Sequence, residues 1–564
     1  MVLLEKLSSL IRKNYTSILL LGIIFGLFLL NSRYVDYPDE YINLLGGKVI
    51  LNGGLPYRDF WDHHLPLAWY ISSIFLFLSG KSFVLTRVLW AVAQFGGFAL
   101  LGRWIYKKHP SLVKPFLAFF VLYPAASLYF WFHLFLADSL AVFFFSIAFW
   151  ILLAETFDNK SLGRSLFVSS FFVFCMIMSS ATFLYMGAVL YLWHAYLYKF
   201  KVDKKLLSLI AWSILPYGIF VLNLFLTKTW NDFYFANFVY NTKYYISIPN
   251  YVRGPHFNPF KFSWTIISNF SAGYLPLLTK IKYLDLYLPI GTLAGISTLT
   301  LFFFLFAKNW FLGLMYFLVL SFSAPRSGLQ DFKETDYQSS MFLVLGLISS
   351  VFVLWLFSKA KIKPTPAKGS VEAMDDWLSD LRRVMRLITL IFFIFTGIFL
   401  LVNSFNTAYK IYTQKLPTIH NAGPAATFID EVLDQGDYYF IGPYEPNESF
   451  YVKKGVWVGK HPSLLPQFRE GDELRDSYLK QFSEHPPRIF IFKQSASIFQ
   501  TPALEFGKFF LDWAGDKYTR LEKVKGVEVL RNPTGVDLKG DLYIKNTDLK
   551  SILLKLQDLG YISF

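Results

Sequence analysis

The sequence contains little cysteine and little charge. Its single cysteine, Cys175, lies inside an apolar run, which excludes an intrachain disulfide and a thiolate metal cluster. Only 16% of the 564 residues are charged, whereas 54% are hydrophobic; soluble domains carry about 25% charged residues. The charge deficit is concentrated in residues 1–405, and the remaining sequence has an ordinary soluble composition. These features predict a membrane-embedded chain with a soluble C-terminal domain.

The sequence also lacks a nucleotide-binding fingerprint, a nucleic-acid-binding pattern and a cleavable signal peptide. No dinucleotide or P-loop fingerprint occurs, which argues against a soluble nucleotide as substrate. The net charge of +15 is dispersed in short clusters between apolar runs, so nucleic acid is not an expected partner. The first apolar run, Thr16 to Leu30, follows Lys6, Arg12 and Lys13 and has no small-residue cleavage site. We therefore expect a retained anchor helix.

Apolar runs of spanning length recur along the N-terminal part of the chain. A membrane-spanning helix needs about 20 residues, with a range of about 17–25. The runs lie at 15–31, 84–106, 115–131, 138–154, 164–180, 182–198, 206–227, 284–307, 309–323, 338–357 and 387–404. A shorter run at 67–79, between Pro66 and Gly80, predicts a helix at the membrane interface. Basic clusters alternate with uncharged connections, which predicts a cytoplasmic N-terminus and an extracytoplasmic C-terminal domain.

The predicted fold is a mainly α polytopic membrane protein with about eleven transmembrane helices and a small α/β C-terminal extracytoplasmic domain. Residues 1–404 form the membrane domain, in which the outer loop 32–83 carries juxtamembrane helices, and residues 405–564 form the soluble domain. The segment 361–386 is predicted to be a cytoplasmic linker followed by a surface helix.

Short patterns in the soluble domain indicate alternating strands and helices. The predicted strands begin at Asp437 and Arg488. The predicted helices are 425–433, 473–482 and 502–513.

Two adjacent acids follow the first span. Asp39 and Glu40 lie at the start of the outer loop, where a carboxylate can act as a general base. The alternative is an acidic pair in the first turn of a helix that begins at Pro38, since negative charge is favoured there.

The next polar segment contains Arg58, Asp62, His63 and His64. Arg58 and the two histidines are candidates for binding a phosphate group. The Asp-His-His run is also a weak zinc signal, because no further matched ligand accompanies it. We predict no metal site and no cofactor, with a divalent metal only weakly supported.

Two outer-face segments add further candidates. Asp138 interrupts an almost continuous apolar run, and acids in such positions tend to be functional. Together with His133, it is expected at the outer end of its span, where Asp39, Glu40 and Asp138 could share a cavity. The alternative is an N-cap acid for a helix that begins at Ser139.

The segment before the span at 338–357 brings charge to the same face. Arg326 and Lys333 are candidates for holding a phosphate or diphosphate, and Tyr337 is a further candidate for substrate binding. The alternative is a solvated loop.

The first outer loop resembles the GT-C superfamily of polyprenyl-phosphate-sugar glycosyltransferases. The resemblance rests on the Asp39-Glu40 pair, on the run from Gly53 to Leu67, and on Arg87 at the start of the next span. It is strongest towards bacterial relatives of protein O-mannosyltransferases and towards the aminoarabinose transferase of lipid A. It covers residues 15–160 well and 320–345 loosely.

The resemblance implies an inverting transfer outside the cytoplasmic membrane. The donor would be a sugar on polyprenyl phosphate, and the acceptor a hydroxyl of a glycan, lipid or protein. Asp39 matches the base of the family, and Asp138 matches an acid at the outer start of the fourth span. Many relatives carry a lysine where this chain has Ser179, Ser180, Ala181 and Thr182. Either Arg58, Arg326 or Lys333 would hold the phosphate instead, or the donor would be held differently.

Two other classes compete with a transferase. A transporter or flippase of lipid-linked or glycan substrates would favour internal repeats and binding near the midplane, whereas the notable charges here gather at one face. A non-catalytic scaffold that presents the C-terminal domain would not require Asp39, Glu40 and Asp138.

Overall fold

A computed structural model describes residues 2–34, 36–158, 164–245, 288–323, 340–359, 370–413, 423–461, 463–469 and 471–564. The chain divides into two compact units. The membrane unit comprises Met1–Val35, Arg87–Ile219 and Val252–Thr418. The loop–sheet unit comprises Asp36–Thr86, Phe220–Tyr251 and Ile419–Phe564.

The described chain before residue 413 is mainly helical. They are α1 (Val2–Leu30), α2 (Pro38–Leu51), α3 (Leu67–Leu78), α4 (Phe83–Lys108), α5 (Val113–Phe130), α6 (Ala137–Phe157), α7 (Ser165–Ser179), α8 (Leu184–Leu197), α9 (Lys204–Leu226), α10 (Trp230–Tyr234), a π-helix (Phe235–Tyr244), α11 (Leu288–Lys308), α12 (Trp310–Phe322), α13 (Ser340–Lys359) and α14 (Ser370–Tyr412). Every predicted span coincides with a helix, and the short interfacial run coincides with α3. Six of the described helices are long and apolar enough to cross a membrane. The chain is a multi-pass membrane protein, and the count of about eleven spans stays a prediction.

The helices of the membrane unit differ in how much of their surface is packed. The apolar windows of α6 and α13 are 94% and 89% buried within the protein. A helix that is hydrophobic all round belongs in a protein interior or in lipid, and these two form the centre of the unit. The window of α14 is only 17% buried, so its apolar side chains face outward.

The helix α14 corrects one prediction. A linker and surface helix were expected to end at residue 386, before a separate span. Instead, a single helix of 43 residues runs from Ser370 to Tyr412 and is about 65 Å long. No proline or glycine occurs between residues 370 and 386, so the charged stretch continues into the apolar one without a break.

Polar contacts bring the C-terminal ends of three helices together in the membrane unit. The Lys308 ammonium at the end of α11 donates to the Thr156 carbonyl in α6. His109, directly after α4, lies with its Nδ1 3.2 Å from an oxygen of Asp158, directly after α6. Helices α4, α6 and α11 therefore end on the same side, as the alternation of predicted spans requires.

The C-terminal part of the loop–sheet unit is built around a mixed sheet. Its strand order is β2-β1-β3-β8-β6, with β1 parallel to β2 and β3, and β8 antiparallel to β3 and β6. The strands are β1 (Tyr438–Gly442), β2 (Val456–Trp457), β3 (Ile489–Phe492), β4 (Ser497–Ile498), β5 (Thr501–Pro502), β6 (Tyr518–Arg520), β7 (Glu528–Val529), β8 (Leu542–Lys545) and β9 (Ile562–Ser563). All residues of β3 are buried, as expected for a central strand covered on both faces. The two predicted strands are confirmed as β1 and β3.

Short helices surround this sheet. They are α15 (Pro424–Val432), α16 (Pro446–Tyr451), α17 (Asp472–Glu484), α18 (Ala503–Phe506), α19 (Lys508–Ala514), α20 (Leu538–Asp541) and α21 (Leu549–Asp558). The helix predicted for 502–513 is divided at Gly507. A Cβ there would lie 2.5 Å from the Phe492 ring, so glycine permits a close approach that the helical pattern did not reveal.

Candidate functional site

The outer loop begins its first helix where the acidic pair lies. Helix α2 starts at Pro38, and the Tyr37 amide donates to a Glu40 carboxylate oxygen at 3.4 Å. Glu40 is fully buried, so its side chain serves the helix start, in line with the alternative given for the pair. Because neighbours on a helix point about 100° apart, Asp39 faces a different direction from Glu40.

Asp39 is held by a residue from the far end of the chain. The Tyr444 hydroxyl, two residues beyond β1, donates to Asp39 Oδ1 at 2.6 Å. Burial, together with the Asp39 charge, raises the pKa of Tyr444 well above its usual value, so the phenol keeps its proton. This hydrogen bond fixes one carboxylate oxygen of Asp39.

A second acid, Asp62, lies near Asp39 and Tyr444. Asp62 is buried, and its two oxygens lie 2.8 Å from His63 Nδ1 and 2.5 Å from His64 Nδ1. Burial opposes ionisation of Asp62, but the charges and hydrogen bonds of the two histidines outweigh it and hold its pKa well below the ordinary value. The Asp62 charge also contributes to the raised pKa of Tyr444.

His461 completes the cluster from the C-terminal part of the chain. Its Nε2 lies 3.8 Å from Asp62 Oδ1, and its Nδ1 lies 2.7 Å from the Ser463 carbonyl. Among the described residues this buried Nε2 has no hydrogen-bond partner. Burial lowers the pKa of His461 to about 4, although Asp62 opposes the shift. His461 is therefore neutral at physiological pH.

The ligand atoms of Asp62, His63 and His64 lie within 4.8 Å of one another, a separation compatible with a metal site. In this arrangement, however, both Asp62 oxygens already meet imidazole nitrogens at hydrogen-bond distance. We therefore treat the cluster as a hydrogen-bonded carboxylate–imidazole network.

Arg58 lies in a tight turn, between Asp39 and Asp62 in the sequence. It pairs with Asp59 through Nε at 2.9 Å and Nη2 at 2.7 Å, and half of its side chain is exposed. The preceding Tyr57 is buried and has a φ of +68°, a left-handed conformation that is costly for a bulky residue. The guanidinium predicted to bind phosphate thus has a carboxylate partner of its own.

The membrane unit contains the other predicted acid. Asp138 lies in the first turn of α6, and Ser180 Oγ donates to it at 3.1 Å. The N-cap is Leu136, so the alternative role of Asp138 as an N-cap is wrong: the helix begins two residues earlier than expected. Ser180 belongs to the segment that replaces the lysine of the resembling family, and it contacts the acid without bringing a charge.

His133 lies in the turn before α6. Its Nδ1 is 3.0 Å from the Ser127 carbonyl, and its ring packs against Tyr34. The buried Arg87 side chain donates to the Tyr34 carbonyl. Burial and the Arg87 charge lower the pKa of His133 to about 3, so it is neutral and does not provide a cation. The candidates Arg326, Lys333 and Tyr337 lie outside the described residues.

Tyr444, His461 and Ser180 are the residues that sequence reasoning missed. Each lies in a segment without a recognisable local pattern, and the first two are distant in sequence from the acids that they contact. The packing of the C-terminal sheet against the first outer loop shows the importance of Tyr444 and His461, and the contact with Asp138 shows that of Ser180.

The neutral state of His461 leads to a prediction about pH. In the unfolded chain this histidine binds a proton below a pH of about 6.5, but in the folded chain only near pH 4. Its contribution to stability is therefore full above pH 6.5 and is lost as the pH falls towards 4. We expect His461→Gln to reduce the fall in Tm between pH 7 and pH 5. The exposed His485→Gln serves as the control, and an unchanged fall in both variants would contradict the assignment.

Comparisons with known proteins were made for the whole chain. No protein-family model and no curated protein matches the sequence. The structure is similar to two crystal structures of ArnT from Cupriavidus metallidurans. The apo structure aligns with a TM-score of 0.47, and the structure bound to undecaprenyl phosphate with 0.48. Both have 12% identity and cover 94% of this chain and 98% of the other. At this identity and TM-score the likeness assigns no activity to this chain.

Proposed function

We propose that the protein is a membrane glycosyltransferase that moves a sugar from a polyprenyl-phosphate donor to an acceptor hydroxyl, with Asp39 as the base. The observation that carries the proposal is the Asp39 carboxylate, fixed by Tyr444 beside the Asp62 cluster. A carboxylate oriented in this way can take a proton from a hydroxyl, and a lipid phosphate is already an activated leaving group.

The reaction balances without a cofactor. The acceptor oxygen attacks the anomeric carbon of the donor sugar from the face opposite the phosphate. The bond between that carbon and the phosphate oxygen breaks, and the electron pair leaves with the polyprenyl phosphate. Asp39 receives the acceptor proton, and the product has inverted configuration at the anomeric carbon.

The leaving phosphate needs positive charge near it. In this proposal His63 and His64 supply that charge. Asp62 accepts a hydrogen bond from each ring at Nδ1, which favours the protonated state of both. Their side chains remain nearly one-fifth exposed, whereas Asp62 is 3% exposed. The histidines are thus accessible to a ligand while their counter-charge is not.

The proposal includes an orientation in the membrane. The N-terminus is cytoplasmic and the C-terminal sheet is extracytoplasmic, as the distribution of basic residues predicts. Asp138, with its partner Ser180, is proposed as a second functional carboxylate. Accessibility labelling of cysteines introduced at Lys308 and Lys454 tests this orientation, because only the second is expected to react from outside.

A transfer assay tests the function. The purified chain is reconstituted in liposomes with a labelled sugar on undecaprenyl phosphate, and membranes of the source cell that lack the protein supply acceptors. We expect labelled product, and we expect inhibition by free undecaprenyl phosphate but not by undecaprenol, which lacks the phosphate. Movement of intact donor across the bilayer without product would instead indicate a flippase.

The hydroxyl of Tyr444 has a measurable role in this mechanism. Tyr444→Phe keeps the ring but removes the hydrogen bond to Asp39. Hydrogen bonds to charged groups contribute about 1.5–3 kcal/mol, so we expect kcat to fall by about 10- to 100-fold with little change in KM for the donor. Tyr561→Phe, which removes a similar hydroxyl–carboxylate hydrogen bond to Glu431 elsewhere in the loop–sheet unit, is the control. Equal rates for Tyr444→Phe and the wild-type protein would show that Asp39 needs no such support.

A further inference from the structure

A cavity lies in the loop–sheet unit, at the opposite end of α2 from Asp39. Its volume is about 530 Å³, within the range of about 300–1,000 Å³ that is usual for small-molecule sites. Its walls come from the C-terminal half of α2, from the turn that carries Arg58 and Asp59, and from the edge of the C-terminal sheet. Asp39, His63 and His64 do not line this cavity, whereas Arg58, a phosphate-binding candidate from the sequence, does.

Aromatic side chains form part of the cavity wall. Trp457 in the edge strand β2 and Tyr438 in β1 both line it and are only partly buried. The Tyr438 ring packs against the exposed His485 with 4.9 Å between centroids. Partly exposed aromatic faces beside polar groups suit a ligand that has both apolar and hydroxyl-bearing surfaces.

Two cationic side chains in the cavity wall already have hydrogen-bond partners within the protein. Arg58 is bound in two-point contact by Asp59, whose Oδ2 also accepts from the Leu55 amide at 2.8 Å. The ammonium of the partly buried Lys48 donates to the carbonyls of Phe450 and Val452 at 3.0 and 2.6 Å. Lys460 and Glu484 also line the cavity, so its wall carries charges of both signs.

Other groups in the wall both donate and accept hydrogen bonds. The amides of Asn52 and Gln481 line the cavity together with the carboxylate of Glu484. Sugar hydroxyls can satisfy donors and acceptors of these kinds, because each hydroxyl has one proton and two lone pairs. Size, aromatic faces and hydrogen-bonding groups thus all match a neutral oligosaccharide.

We propose that this cavity binds a neutral oligosaccharide, which is a segment of the acceptor glycan away from the hydroxyl that receives the sugar. The identification of the bound glycan as the acceptor rests on the proposed function, whereas the binding of oligosaccharide does not. The cavity would then select the acceptor, while Asp39 acts on its end.

The test measures binding without transfer. Full-length Asp39→Asn protein in detergent micelles is titrated with maltotriose, mannotriose and triacetylchitotriose, with no donor lipid present. Binding is followed by saturation-transfer NMR and calorimetry. We expect at least one trisaccharide to bind, and we expect Trp457→Ala to weaken that binding at least tenfold. Trp513→Ala changes a tryptophan of the same unit outside the cavity and is expected to bind normally.

Glu484→Gln provides a variant that preserves shape. Its side chain is largely exposed, so the unfolding temperature should be unchanged, while trisaccharide binding is expected to weaken several-fold. The proposal is overturned if no trisaccharide binds, or if binding is indifferent to both Trp457→Ala and Glu484→Gln. The proposed transferase function fails separately, if the wild-type protein binds trisaccharide yet forms no product from a labelled donor.

Discussion

Asp39→Asn is expected to lower the rate of sugar transfer by about 100- to 10,000-fold, the usual contribution of a positioned general base. An asparagine keeps the volume of the side chain and can still accept from the Tyr444 hydroxyl. It cannot take a proton from the acceptor. We therefore expect kcat to fall while the affinity for undecaprenyl phosphate is retained, as measured by single-turnover transfer and by lipid binding on the same preparation.

The matched control for this change is Asp36→Asn. Asp36 lies in the same loop and accepts from the Tyr41 hydroxyl at 2.6 Å, but we assign it no part in proton transfer. It should retain transfer close to the wild-type rate. If Asp39→Asn retained full activity, or if both variants lost it equally, Asp39 would not be the base.

Asp62→Asn is expected to affect both stability and donor binding. The change removes a buried charge and leaves His63, His64 and His461 around a neutral amide. Breaking a buried charge network by removing one member costs about 3–5 kcal/mol. We expect a clear fall in the unfolding temperature of the protein. We also expect loss of undecaprenyl phosphate binding at neutral pH, because the histidines no longer have an anion that favours their protonated form.

Asp472→Asn is the corresponding surface control. Asp472 is 92% exposed and lies 3.4 Å from Arg475 in the same helix, and exposed pairs of this kind contribute about 0–1 kcal/mol. Its unfolding temperature and donor binding should match the wild type. If Asp62→Asn behaved like Asp472→Asn, the buried network would have no role in holding the histidines.

The long apolar runs in the sequence made much of the membrane unit predictable. Helix boundaries follow apolar runs, because a span must satisfy its own backbone hydrogen bonds and present apolar side chains. The start of α2 at Pro38 was equally predictable, since proline and acids suit a first turn. Helix α14 was mispredicted at its start, because a change from charged to apolar residues does not by itself end a helix.

Only the residues of the candidate site that come from the first outer loop were predictable from the sequence. Asp39, His63 and His64 lie in one loop, and its high density of polar residues indicates a functional segment. Tyr444 and His461 come from loops beside strands β1 and β2, and their contacts with the first loop depend on tertiary packing. A pattern within a short window contains no information about a contact between residues 405 positions apart.

That long separation has a consequence for synthesis. Chains emerge from the ribosome at about 5–20 residues per second, so about 20–80 s pass between the appearance of Asp62 and that of Tyr444. During that interval Asp39 and Asp62 are without their C-terminal partners, and water must solvate the carboxylates. The proposed site is assembled only when the last third of the chain has folded, so we expect a nascent or truncated protein in the membrane to transfer no sugar.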